Sequence, residues 1–162
     1  MGAKKKKAAR KPRIYREPEL LKLDLGSGPR PAEGFKGVDI VPGVTDYCVD
    51  LCIGEPWPFA SDSVSEMRSS HYIEHIDSGC IWTFETVALA KGKYATRRVR
   101  GPNAFLWFFD EAFRIAKHGC VFSIQWPALQ SVRSFQDPSH SIHPCAETTI
   151  YLTREGRKAM GV

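Results

Sequence analysis

The stretch LDLGSG, residues 23–28, decides the fold that the rest of the chain must follow. The apolar run 20–25 that leads into it predicts a buried strand, and this strand stops at two glycines one residue apart. A strand that ends on Gly-x-Gly presents bare backbone, so a flat ligand can lie against the main chain. The stretch therefore predicts a strand edge that binds a nucleotide-type cofactor.

The residues after the two glycines argue against a dinucleotide. A dinucleotide fingerprint has a third glycine that opens a helix, because the free N–H groups of that helix bind the pyrophosphate. Here Gly28 is followed by Pro-Arg-Pro-Ala, residues 29–32. We therefore expect a cofactor with an adenosine, an ammonium group and no phosphate, and we disfavour an NAD-dependent dehydrogenase.

A second strand is predicted over residues 36–40, with Asp39 near its end. A carboxylate there can accept hydrogen bonds from both hydroxyls of a ribose, so Asp39 is the predicted ribose ligand. The connection between the first two strands is shorter than the dozen or more residues that a parallel crossover with a helix needs. We therefore expect the first helix to be vestigial or missing, and one face of the sheet to be thinly covered.

The rest of the chain alternates between predicted strands and helices. A fourth strand over 64–70 ends at Ser70 and His71, where ligands of open α/β sheets bind. Because histidine titrates near neutral pH, His71 is a candidate to take a proton from a substrate. His71 and His75 are expected on one face of the following helix, and a local packing role is favoured for His75. Further strands are predicted over 47–51 and 120–126, helices over 81–89, 103–117 and 146–152, and a packed turn over 56–63.

Seven segments in this order resemble the small bacterial and phage type of class I S-adenosylmethionine-dependent methyltransferase. They are LDLGSG (23–28), GFKGVDI (34–40), VDL (49–51), PWPFASDSVSE (56–66), SSHYIEH (69–75), FFDEAFRIAKHG (108–119) and FQDPSH (135–140). The resemblance implies an α/β, Rossmann-like fold with a mostly parallel sheet and a reduced first helix. The two C-terminal strands that the family normally adds have no counterpart before Val162.

The resemblance also implies roles for individual residues. It places Asp24, Gly26, Ser27 and Gly28 at the methionine part of S-adenosylmethionine. It places Asp39 at the ribose, Asp50 and Leu51 at the adenine, and Ser70 and His71 at the methyl-transfer edge. Asp137 and His140 are carried over, together with His71, as catalytic candidates on the substrate side. The methyl acceptor and the oligomeric state stay open.

Positive charge is concentrated near the start of the chain. Residues 1–16 hold eight Lys or Arg and no acidic residue. Residues 17–162 therefore contain the other 15 basic residues and all 18 acidic residues, which gives them a net charge of −3, against +5 for the whole chain. We expect a basic disordered arm over 1–17 and a methyltransferase-like domain over 18–162. Residues 4–16, and 91–100 with five bases around an aromatic, are candidate nucleic-acid contacts, against the alternative of solvated segments. A catalytically inactive nucleic-acid-binding or scaffold module is therefore the alternative function.

The five cysteines and the hydropathy of the chain indicate the cellular compartment in which the protein is expected. An odd cysteine count without an export signal argues against a disulfide framework. A zinc site from Cys48, Cys52 and the His140–Cys145 region has looser spacing than structural zinc prefers, so ordinary thiols and histidines are favoured and no metal is predicted. No apolar run is long enough to span a bilayer. We expect a cytoplasmic protein, in the host cytoplasm if a phage encodes it, with no membrane contact.

Overall fold

The computed structural model describes residues 20–52, 54–77, 80–88 and 94–160. The predicted basic arm over 1–17 lies outside the described residues, as do 91–93 of the second basic segment. No helix within the described ranges has the length and apolarity that crossing a membrane requires.

Within the described ranges, seven strands form two separate sheets. In chain order they are β1 (Leu21–Leu25), β2 (Lys36–Asp39), β3 (Tyr47–Cys48), β4 (Val64–Ser70), β5 (Cys80–Ala88), β6 (Tyr94–Asn103) and β7 (Ala116–Gln125). Five of them form one parallel sheet in the order β3-β2-β1-β4-β7, and β5 and β6 pair with each other. The α/β character is confirmed. This architecture is compatible with a Rossmann-like fold without being specific to it.

The connection between β1 and β2 contains no helix, as its length predicts. It folds back against the strands instead: the Asp24 carboxylate accepts a hydrogen bond from the N–H of Ala32 at 2.8 Å. A Cβ on Gly37 would lie 2.7 Å from Ser27 Oγ, so only glycine lets the connection pack this close to β2. A tight loop over 26–35 therefore takes the place of the first helix.

One helix, α1 (Ala104–Ile115), covers the apolar face of the sheet. Asn103 caps it, since its side-chain oxygen accepts from the N–H of Leu106 at 3.2 Å. Phe108 is fully buried in a core shared with Leu23, Leu25 and Met67. The helix was expected to continue to residue 117, but Ala116 is already extended and begins β7.

β7 starts with an irregularity at the point where the helix predicted over 103–117 was expected to end. Val64 pairs with Ala116 and Glu66 with Val121, so the intervening residues 117–120 bulge out of the ladder. Gly119 lies in this bulge with φ of 81°, a conformation that glycine adopts without steric cost. The strand predicted over 120–126 is thus confirmed from Val121 on, with an irregular extension before it.

The helix predicted over 81–89 is wrong for the described part of that segment. β5 and β6 form an antiparallel pair, with Thr83 opposite Val99, so the basic segment 91–100 is strand from Tyr94 on. Short apolar runs fit both helical and strand periods, and the β-branched and aromatic residues of 80–88 fit the strand better. Leu89 lies outside the described residues.

The second face of the parallel sheet is polar and partly exposed. Lys22 on β1 forms an ion pair with Glu66 on β4, and both side chains keep about two-fifths of their surface in solvent. Beside them Arg68 lies 3.5 Å from Asp24. This exposure agrees with the expected thin cover on one face, which stays a prediction, and the polar side chains make the face compatible with water.

The remaining helices are short. They are a 3-10 helix at Ile73–His75, α2 at Val132–Phe135, a 3-10 helix at Ala146–Leu152 and α3 at Arg154–Met160. The helix predicted over 146–152 is confirmed, as the 3-10 helix Ala146–Leu152. Within the described residues, which extend to Met160, no strand pairs with the outer edge of β7.

Candidate ligand site at the carboxyl edge of the sheet

The strand order reverses between β1 and β4. The chain runs outward from β1 to β2 and β3, then returns to place β4 on the other side of β1. In open parallel sheets, ligands bind in the crevice outside the carboxyl ends of the strands at such a switch point. Gly26 follows β1 at this point, and His71 follows β4.

Two of the predicted cofactor residues are brought together here. The N–H of Gly28 donates to Asp39 Oδ2 at 2.8 Å, which joins the turn after β1 to the end of β2. The other oxygen, Oδ1, has only a long contact of 3.4 Å with the N–H of Val41. Gly28 has φ of 56°, and a Cβ there would meet nothing within 4 Å. The backbone of Gly28 therefore borders open space beside a carboxylate.

Asp24 is placed differently from its neighbours in the motif. It is buried, with Oδ2 bound to the N–H of Ala32 and Oδ1 facing Arg68. Both oxygens thus have partners within the protein. Asp24 stabilises the loop that carries Ser27 and Gly28.

Tyr72 is a site residue that the sequence analysis missed. A Cβ on Gly26 would overlap the Cγ and Cδ2 atoms of Tyr72, so the tyrosine ring lies directly on the turn after β1. Its hydroxyl lies 3.3 Å from Cys52 Sγ, and its ring packs 5.7 Å from that of Phe108. Burial, followed by the nearby Cys52, raises the pKa of the Tyr72 phenol. The only signal in the sequence is its place just after β4.

The predicted adenine residues lie after the short strand β3. Asp50 Oδ1 accepts from the N–H of Cys52 at 2.9 Å and so stabilises a local turn. Leu51 is 1% exposed and belongs to the core, which leaves its side chain little surface for a ring. Burial raises the pKa of the adjacent Cys52 thiol.

His71 is held at the end of β4 by contacts on both sides. Its N–H donates to the carbonyl of Gln125 at 2.8 Å, and its Nδ1 lies 3.2 Å from Glu74 Oε1. The backbone has φ of 54°, so His71 precedes the helix that starts at Ile73. The expectation that His71 and His75 share a helix face is therefore wrong. Ser70 Oγ contacts Gln125 Oε1 at 3.4 Å.

The segment that contains Asp137 and His140 docks onto the same edge. The N–H of Ser141 donates to the carbonyl of Glu74 at 2.8 Å, and the rings of His140 and His75 meet edge to face at 4.7 Å. Asp137 Oδ1 accepts from the hydroxyl of Ser139 at 2.6 Å and from its N–H at 2.9 Å. These two bonds lower the pKa of the Asp137 carboxyl below its usual value.

The cysteines and histidines weighed as a zinc site have separate partners. Cys48 Sγ contacts the carbonyl of Ile40 at 3.3 Å, and Cys52 pairs with Tyr72. His143 Nδ1 lies 3.0 Å from Ser134 Oγ, and the Cys145 thiol lies beside Thr148. The structure thus distributes these groups over several elements.

No protein-family model matches the chain, and the searches of curated proteins and of solved structures likewise gave no match. These comparisons assign the chain to no family. The geometry of the sheet edge and the motif resemblance therefore carry the functional proposal.

Proposed function

We propose that the protein is a class I methyltransferase that transfers the methyl group of S-adenosylmethionine to an acceptor. The observation that carries the proposal is the 2.8 Å hydrogen bond from Gly28 to Asp39, beside the topological switch point. It joins a glycine turn and a strand-end carboxylate, and a nucleoside ligand needs both. The ordered motif resemblance supports the choice of this cofactor.

The residues at the edge fit the nucleoside end of that cofactor. Oδ1 of Asp39 has only the long contact to Val41, so it can accept from a ribose hydroxyl, while the open side of Gly28 admits a close approach. Asp24 acts through the loop it stabilises and is a positioning residue. S-adenosylmethionine supplies an electrophilic methyl group, and the contribution of the chain is to hold donor and acceptor in line and to exclude water.

His71 is the proposed proton acceptor. Its side chain is 51% exposed, and its Nδ1 faces Glu74, whose side chain is 2% exposed. A carboxylate at Nδ1 fixes the imidazole tautomer and orients the ring, which leaves Nε2 to take a proton from the acceptor. His71 therefore assists transfer to a hydroxyl or amine, while methyl displacement itself depends mainly on positioning.

Calorimetric titration with S-adenosylhomocysteine tests the cofactor site. Asp39→Asn keeps the shape of the side chain and removes its charge. A charge-assisted hydrogen bond contributes about 1.5–3 kcal/mol, so the dissociation constant should rise by roughly ten- to a hundredfold. Asp62→Asn is the matched control, because Asp62 precedes β4 and so lies at the amino edge of the sheet. Absence of binding by folded wild-type protein, or equal loss in both variants, would contradict the proposal.

Transfer of label from the donor tests the activity. Protein incubated with methyl-labelled S-adenosylmethionine and with nucleic-acid, protein or small-metabolite fractions should label one of them. His71→Ala should lower the rate while leaving S-adenosylhomocysteine affinity within about twofold. A parallel loss of affinity would place His71 in cofactor binding instead.

A nucleic-acid-binding module is the second candidate, and the hairpin favours it. The register sets Arg98 opposite Phe84 and Arg100 opposite Trp82, so basic and aromatic residues occupy paired positions on one two-stranded ribbon. A module should bind single-stranded nucleic acid with an affinity that falls steeply with salt, whether or not the donor is present. Replacing Arg98 and Arg100 with Ser should reduce the salt slope by about one for each phosphate that is no longer neutralised. An unchanged slope would remove the hairpin from this role.

A further inference from the structure

Glu74, His75 and His140 form a cluster, of which the proposed methyl transfer uses only one Glu74 oxygen, as the partner of His71. One ligand atom of each lies within 4.8 Å of the other two. Glu74 and His75 belong to the short helix after β4, whereas His140 comes from the segment that docks there through Ser141. The fold therefore gathers two imidazoles and a carboxylate from distant parts of the chain.

Among the residues that the structure describes, one oxygen of the Glu74 carboxylate has no partner. The residue is 1% exposed, and Oε1 faces His71, but Oε2 is buried without a hydrogen bond. A buried carboxylate oxygen that lacks a partner costs free energy, and a bound cation removes that cost. This oxygen is the strongest single indication that a ligand belongs in the cluster.

Both imidazoles are held with a lone pair available. His140 Nδ1 lies 2.9 Å from the carbonyl of Ser134, which can only accept, so Nδ1 carries the proton and Nε2 the lone pair. For His75, the position of the ring proton follows from the hydrogen bonds of Ser139: they put the proton on Nδ1 and leave the lone pair on Nε2. Ser139 Oγ donates to Asp137 at 2.6 Å and therefore accepts from His75 Nδ1 at 3.1 Å.

This arrangement matches the outer shell of histidine-metal sites. Ligating histidines nearly always donate their second ring N–H to a carbonyl, a carboxylate or a similar acceptor, which orients the ring toward the metal. Ser134 and the Asp137–Ser139 pair are such acceptors, and His71 holds the ligating carboxylate in the same way.

We propose that Glu74 Oε2, His75 Nε2 and His140 Nε2 bind a divalent transition-metal ion of the zinc type. Two imidazoles and one carboxylate suit Zn²⁺ and leave a fourth position for a water or a substrate oxygen. In a tetrahedral site, bonds of about 2.0–2.2 Å set any two ligand atoms about 3.3–3.6 Å apart. Ligand atoms that lie within 4.8 Å of one another therefore approach by up to about 1.4 Å when the ion binds, a shift that side-chain rotation must supply. The proposal does not depend on the methyltransferase assignment, because it rests on donor atoms alone.

The first experiment is titration of metal-stripped full-length protein with Zn²⁺, with bound metal measured by elemental analysis after dialysis. Wild-type protein should retain one equivalent. His140→Ala removes a ligand and should weaken binding by at least tenfold, whereas His118→Ala should leave it unchanged, since His118 lies in the bulge at the start of β7, at the opposite edge of the sheet. No retained metal in the folded wild type, or equal retention by both variants, overturns the proposal.

A second variant distinguishes loss of metal binding from misfolding, and a second metal distinguishes the proposed ligands from other ligands. Ser139→Ala preserves the three ligands and removes the partner of His75, so affinity should fall by about tenfold. Bound Co²⁺ should show a tetrahedral visible spectrum without thiolate charge transfer. A thiolate band would assign the metal to cysteines, and displacement of Zn²⁺ by millimolar Mg²⁺ would indicate a weak oxygen site; either result refutes the proposed ligand set.

Discussion

Replacing Gly26 with alanine tests whether this glycine is required by Tyr72. Gly26 and Gly28 form a matched pair, because both have positive φ, 71° and 56°. A Cβ at Gly26 would overlap the ring of Tyr72, whereas a Cβ at Gly28 would meet nothing within 4 Å. The two substitutions therefore share a backbone cost and differ in one steric clash.

The expected magnitudes follow from these two effects. Alanine in the left-handed region costs about 1–2 kcal/mol. Forced overpacking adds about 1–3 kcal/mol. Gly28→Ala should therefore lower the free energy of unfolding by about 1–2 kcal/mol and Gly26→Ala by about 2–5 kcal/mol. The smaller entropy of the unfolded alanine chain affects both variants equally and cancels in the comparison.

Urea unfolding followed by tryptophan fluorescence measures both values, provided that the slopes agree with wild type. A double-mutant cycle then identifies the clash. In a Tyr72→Gly background the Cγ, Cδ2 and Cβ atoms that a Cβ on Gly26 would overlap are all absent, so the extra cost of Gly26→Ala should fall by at least about 1 kcal/mol. Equal costs for Gly26→Ala and Gly28→Ala, or an extra cost that persists without the Tyr72 ring, would refute the reasoning.

Two further predictions concern α1. Glu111→Gln removes a bidentate bond to Arg114, both N···O distances being 2.7 Å, and should cost about 2 kcal/mol at neutral pH in urea unfolding. Burial raises the pKa of the Glu111 carboxyl, but the hydrogen bonds from Arg114 and from the N–H of Trp57 outweigh burial, so the net pKa is lowered. The stabilisation by this carboxylate is therefore complete above the ordinary carboxyl pKa, and it is lost as the pH falls through the lowered pKa of the folded protein. The difference from wild type should shrink in acid, and a constant difference would contradict the assignment. Asn103→Ala removes the cap of the helix and should cost about 1 kcal/mol in the same assay, whereas Asn103→Asp should cost little.

The main sheet could be predicted because its strands carry local signals. The apolar run into Gly26 and the short connection to β2 determine a parallel pair without a helix, and Asn103 marks the start of α1. The strand over 64–70 agrees with the structure at both ends. Each of these features depends on residues close together in the chain, which is where propensity and periodicity act.

The hairpin shows where local signals fail. Its residues 81–88 fit a helical spacing nearly as well as a strand, and the partner that decides between them, β6, begins only at Tyr94. Pairing along the ladder, as between Thr83 and Val99, then outweighs the weak local preference. A tertiary partner therefore determined the element type, and periodicity alone could not supply it.

The candidate site depends on such partners even more strongly. The run 71–75 directs its side chains to three different destinations: Tyr72 to the turn at Gly26, His71 to Glu74, and His75 to the rings and hydroxyls of the 137–140 segment. Its residue types suggest chemistry, but no spacing within it reveals that the partner of His75 lies 64 positions later. The positive φ of His71 breaks the helix that would have given these side chains one common face, and this break allows neighbouring residues to serve separate sites. If the metal and cofactor sites both exist, they therefore meet at His71, which contacts Glu74 on one side and ends the β4 strand of the cofactor edge on the other.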